Sequence, residues 1–162
     1  MDIKNTYDLL PAETRVWIYQ SSRKFTAEET QKVDAQLLAF TQEWASHNRA
    51  LKALGKVYHN QFLVLMVDES MAGASGCSID SSVHFVRDIQ QQLGVDFFDR
   101  MTFAWEDTDG VKTAHRSEFA ELYKEGKITD ETLVFDNLVN TKGQFEERWL
   151  RPLKESWHAR MV

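Results

Sequence analysis

The sequence predicts a mixed α+β protein, with helices packed on a largely antiparallel or mixed sheet. Three observations carry this. Short β-branched and aromatic runs at 15–20 (RVWIYQ), 62–67 (FLVLMV) and 101–105 (MTFAW) read as strands. Between them lie stretches with an apolar residue every three to four positions, the period of a helix. Finally, turn signals at His59-Asn60-Gln61 and at Asp107-Thr108-Asp109-Gly110 join neighbouring runs as hairpins, the connection typical of antiparallel pairs.

The elements follow in order. After the strand at 15–20, Thr26-Ala27-Glu28-Glu29 forms a capping box, in which hydroxyl and carboxylate satisfy orphan helix amides reciprocally. Val33, Leu37, Phe40 and Trp44 continue as one stripe, so a helix is expected to about His47. Residues 56–58 and 62–67 are the arms of a hairpin, and six consecutive apolar residues in the second arm predict a strand covered on both faces. A second helix is expected from near Ser78, with Ile79, Val83, Val86, Ile89 and Leu93 on its apolar face and Gly94 at its end. The strand at 101–105 turns at Gly110 into 111–113. A helix from Ser117 stops at Gly126, and 133–135 reads as a short strand. Phe145, Trp149, Leu153 and Trp157 predict a terminal amphipathic helix, bent or restarted at Pro152. Such an aromatic stripe serves as core or as the contact of a homodimer. The organisation expected is a main α/β domain over 1–106 and a C-terminal αβ extension over 107–162, packed together as one unit.

Composition narrows the function classes. The chain has 162 residues, 43% of them apolar and 12% aromatic, enough for a packed core of one domain. Lys and Arg number 19 against 25 Asp and Glu, a net charge of −6, and no basic block relieves it. Nucleic acid and an anionic membrane are therefore disfavoured as partners. The apolar run at 62–67 is far short of the ~20 residues a spanning helix needs. A single cysteine excludes an internal disulfide, and the start MDIKNTYDLLPAE lacks the pattern of an export signal, so a reducing cytoplasm is the expected compartment.

The segment 62–82 is where a site is expected. Asp68 and Glu69 end the apolar strand, and Gly73, Ser75 and Gly76 lead through a loop of small residues to Cys77, Ser78 and Asp80 at the next helix. Small residues let a ligand approach backbone closely, and first-turn amides attract anions and lower a thiol pKa. This makes Cys77 a candidate nucleophile and Asp68 and Glu69 candidate acid–base groups. Gly73, Ser75, Gly76, Ser78, Asp80 and His84 are the corresponding ligand-binding candidates. The same residues also fit a tight strand-to-helix turn with the cysteine packed as a small hydrophobe. The acidic Asp68, Glu69 and Asp80 work against both an anion and a thiolate. Cys77 and His84 are separated by ~10 Å along a helix, too far for a dyad, so a base would have to come from His47, His59, His115 or His158. Asp80, His84 and Asp88 share one helix face, a pattern that could orient an imidazole or help bind a metal but fits a solvated face better.

Several chemistries are absent. No His-x3-His or Cys-x2-Cys pair marks a zinc site, and neither a P-loop nor a dinucleotide fingerprint is present. No metal and no cofactor is expected.

Two resemblances accompany this reading. The segments RVWIYQSSR (15–23), Trp44-Ala45-Ser46-His47, FLVLMVDES (62–70) and SGCSIDSSVHFV (75–86) resemble an uncharacterised family of short bacterial proteins of Bacteroidetes type, often labelled ABC transporter ATPase. That resemblance implies a bacterial cytosolic protein and brings no activity with it. The segment 119–139, FAELYKEGKITDETLVFDNLV, is similar to the helix-then-strand part of GYF-type adaptor modules. The function expected is a ligand-binding or protein-interaction module for a small ligand or a protein partner. The alternative is a small enzyme built on Cys77 as nucleophile, or on Asp68 and Glu69 as an acid–base or metal site.

Overall fold

One strand organises the architecture. In a computed structural model that describes residues 3–47, 52–68 and 76–162, β3 (Phe62–Asp68) lies between β1 (Arg15–Gln20) and β2 (Lys52–Tyr58), antiparallel to both. All seven residues of β3 are buried. The apolar run therefore is a central strand covered on both faces. Its odd positions Leu63 and Leu65 pack under α2 (Ala27–His47) and α3 (Gly76–Leu93), against Val33, Leu37, Val86 and Ile89. Its even positions Phe62, Val64 and Met66 face a second sheet.

That second sheet has the order β5-β4-β6-β7, built from β4 (Thr102–Asp107), β5 (Gly110–His115), β6 (Leu133–Phe135) and β7 (Leu150–Pro152). Ala104, Val111 and Phe135 turn inward to the first sheet, and Phe62 meets Phe135 at 4.9 Å between ring centroids. On the outer face, Phe103, Trp105 and Val134 pack against Phe119 of α4 (Arg116–Lys124) and against Leu153. The result is four layers: two helices, three strands, four strands, and one helix with the C-terminal turns. The α+β class is thus as the sequence implies, with two sheets in place of one.

Local signals behave as their chemistry dictates. The capping box forms: Glu29 N–H donates to Thr26 Oγ1 (3.1 Å) and Thr26 N–H to Glu29 Oε1 (2.9 Å). Gly94 and Gly126 end α3 and α4 with positive φ, 64° and 76°. His59 and Asn60 both have φ of 55°, a turn whose hand matches strand twist, with Gln61 N–H donating to Tyr58 O. Gly55 lets α2 sit close on β2, since a Cβ there would come within 3.1 Å of both Leu37 and Leu65.

The C-terminal region corrects the expectation of an amphipathic helix. The helix is only α5 (Lys142–Arg148), after which Leu150–Pro152 pairs with β6 and two 3-10 turns follow, Leu153–Glu155 and Trp157–Met161. The pairing aligns Pro152 with Leu133 at the outer edge of the sheet, where its missing N–H costs no ladder bond. Phe145 and Trp149 stack at 4.8 Å in the core between the sheets, whereas Leu153 and Trp157 join the outer core. The four aromatic and aliphatic positions therefore do not form one face, and Trp149 is buried. A helix at Ile3–Leu9, α1, was not foreshadowed. It is tied to α5 by Lys142, whose buried ammonium donates to Tyr7 O (2.8 Å) and Leu10 O (2.7 Å) and lies 4.2 Å from the Tyr7 ring centroid. The step from 106 to 107 lies within β4, and the chain passes from the first sheet and its helices to the second sheet across 94–101.

Candidate functional site

The strand-to-helix region expected to carry chemistry is only partly described. Asp68 closes β3, opposite Lys52 in the register, and is buried. Gly76, Cys77 and Ser78 form the first turn of α3, with their side chains outside the described set, and Glu69, Gly73 and Ser75 lie outside the described residues. The helix starts two residues before the expected position, which places Asp80 beyond the first turn, where it offsets the helix dipole less. Asp80, His84 and Asp88 are all exposed, as on a solvated face. Among the described residues no three metal-ligating side chains converge.

The structure directs attention to a different place, one that no sequence motif marks. Between β1 of the first sheet and β4 of the second opens a cleft of about 430 Å³. Its floor is Phe103, Ala104 and Phe135, and its walls are Ile18 and Gln20, residues 97–100 and Thr102, Asn137 and Leu138, and Trp157, His158 and Met161 of the last turn. Four segments far apart in sequence thus meet there. Polar side chains span the gap at this end.

Those side chains form a continuous chain. Gln20 Nε2 donates to Thr102 O across the sheets (3.1 Å), and Gln20 Oε1 accepts from Asn137 Nδ2 (2.9 Å). Asn137 Oδ1 accepts in turn from Trp149 Nε1 (2.9 Å). Beside it, buried Asp136 is a hub: Oδ1 accepts from Trp157 Nε1 (2.9 Å) and Leu138 N–H (3.0 Å), and Oδ2 from Arg151 Nη2 (2.9 Å). Fixed this way, Asn137, Leu138 and Trp157 hold their places at the cleft without strain on the backbone.

His158 lines the cleft with 1% of its surface exposed. It shares a 2.7 Å hydrogen bond with Ser156 Oγ through Nδ1 and stacks on Trp157 at 3.8 Å. Burial lowers its pKa to about 4, outweighing the opposite pull of Asp136, so the imidazole is neutral at pH 7. At the mouth, Asp99 accepts from Met101 N–H and Thr102 Oγ1, which hold its carboxyl below the usual range. Arg100, next to it, is exposed and has no hydrogen-bond or ionic partner among the described residues. Phe98 and Leu138 stand out at the rim, 39% and 69% exposed.

An apolar floor, a few fixed amide and hydroxyl groups and a cation without a partner among the described residues are the elements of a recognition site. The hydroxyl of Ser156 meets the imidazole of His158 there, but Ser156 is buried and does not line the cleft. The partners across the cleft are separated by up to 117 positions, as with Gln20 and Asn137, so only composition hinted at them: amides and tryptophans near short strands, with no local pattern. The helix-then-strand order of 119–139 is present as α4 followed by β6, and the latter supplies Phe135 to the cleft floor. The chain as a whole matches no protein-family model, no curated protein and no solved structure.

Proposed function

We propose that the protein is a binding module without chemistry of its own, and that its ligand occupies the cleft between the two sheets. The observation that carries this reading is the cleft itself: about 430 Å³, floored by aromatic side chains and braced by a hydrogen-bonded polar network. That volume falls within the roughly 300–1,000 Å³ typical of ligand sites. A ligand with an apolar body and at least one hydrogen-bonding group fits it best. Arg100 at the mouth favours negative charge in a protein otherwise acidic.

The test uses 1-anilinonaphthalene-8-sulfonate, an apolar anion, titrated into the 15N-labelled chain. Its emission should rise, and the amides of Ile18, Phe98, Asn137 and Leu138 should shift together. Leu138→Glu, at an exposed rim position, should cut the emission several-fold without changing the melting temperature. Shifts confined to other regions, or an unaltered response in that variant, would remove the cleft as the binding site.

A further inference from the structure

We propose that the occupant of the cleft is an extended acidic peptide segment of another protein, which adds as a strand to the outer edge of β1. The inference rests on the cleft being a binding site and specifies what enters it.

The edge itself is the first observation. Val16 N–H donates away from β3 to Asn140 O (3.0 Å), and Lys142 N–H reaches Thr14 O (2.8 Å), so the segment 140–142 begins to pair along the outside of β1. The pairing then stops, because Asn140 N–H turns to Gln144 Oε1 (3.0 Å). In an antiparallel ladder alternate residues point their backbone groups to the same side. The carbonyl of Val16, the N–H and carbonyl of Ile18 and the N–H of Gln20 therefore face outward, and none has a partner among the described residues. A second hollow of about 250 Å³ follows this stretch from Ile18 past Arg100 to Asn140.

The other edges show what is unusual here. β2 carries Lys52 and Lys56 and gives its outward Val57 N–H to Asp34 Oδ1 (2.8 Å). β5 carries Lys112, and β7 carries Arg151 and Pro152. Charge and proline at an edge prevent pairing with another chain. From Val16 to Gln20, β1 has neither.

The second and third observations select the partner. A strand placed on β1 would direct alternate side chains toward the cleft, past Phe98 and Leu138, so apolar residues at every second position are favoured. Arg100, without a partner among the described residues, lines both hollows in a chain of net charge −6, and takes a carboxylate from the peptide. The pattern sought is thus apolar residues in alternation, with Asp or Glu among them.

The test is selection of a displayed random-peptide library on the immobilised full chain, followed by titration of the enriched peptides into 15N-labelled protein. Enrichment of alternating apolar residues with an acidic one is expected. Binding should shift the Ile18 and Gln20 amides and slow their exchange with solvent. N-methylating alternate peptide amides should weaken binding about tenfold or more, since two or more backbone hydrogen bonds are lost. Arg100→Ala, an exposed position, should weaken it about two- to fivefold. Absence of enrichment, or enriched peptides that leave Ile18 and Gln20 unmoved, would overturn the proposal. So would a concentration-dependent dimer in sedimentation with those amides protected, which would give the edge to a second copy. If the sulfonate probe still shifts the cleft amides while no peptide does, only the peptide is lost; if neither does, the binding cleft falls as well.

Discussion

The two faces of the three-stranded sheet are built on different principles. The face under α2 and α3 is mainly apolar, with Leu63 and Leu65 closed over by Val33, Leu37, Val86 and Ile89. The face toward the second sheet is apolar only at its centre, around Phe62, Val64 and Trp149. At the β1 end it gives way to Gln20, Asn137, Asp136 and His158, and there the cleft opens. Apolar surface closes on itself without regard to direction, whereas hydrogen-bonded side chains fix a spacing and can hold a gap open.

Substitutions can break this contrast, and the largest effect is expected at the polar hub. Asp136→Ala leaves the Arg151 guanidinium without its buried carboxylate and Trp157 without an acceptor, and should cost about 3–5 kcal/mol in urea unfolding. On the dry face, Leu65→Ala removes a fully buried side chain and should cost about 3 kcal/mol, with no change in the amides of the cleft. The two faces are then separable by which amide shifts accompany the loss.

His158 gives the polar face a pH dependence that the dry face lacks. Its folded pKa is about 4, while the unfolded chain protonates near 6.5. Stability from this residue is full above pH 6.5 and falls as the unfolded state takes up its proton, levelling off only below pH 4. Between pH 7 and pH 5 the loss should reach about 2 kcal/mol, and His158→Phe should flatten that part of the profile. A smaller effect, about 1–2 kcal/mol, is expected for Gln20→Leu, which leaves Thr102 O and Asn137 Nδ2 without their partner. Smallest of all, Leu138→Ser at the exposed rim should stay within about 0.5 kcal/mol while weakening the sulfonate probe.

The contrast also explains what the sequence revealed. The helical layer was legible because its information is local: a capping box at Thr26 and Glu29, a stripe from Val33 to Trp44, a stop at Gly94. The all-apolar run of β3 announced its burial on both faces. What covers the second face was not legible, because Gln20 and Asn137 find each other only through the fold. The C-terminal region misled for a related reason. Phe145, Trp149, Leu153 and Trp157 keep a spacing of four, yet β6 takes Leu150–Pro152 as a strand, and pairing across the sheet overrides the helical period. The 68–82 segment showed small residues and a thiol, which are signals of close approach but not of its purpose.

One consequence of the central strand concerns time rather than space. Each peptide group of β3 is bonded to β1 or β2, and both of its faces are closed by other layers. No partial opening frees Leu63–Val67 without separating the helices from the sheet or the sheets from each other. Deuterium should enter these amides only when the whole molecule unfolds, making them a clock for the global equilibrium. The β1 amides at Ile18 and Gln20, open on one side, should exchange orders of magnitude sooner.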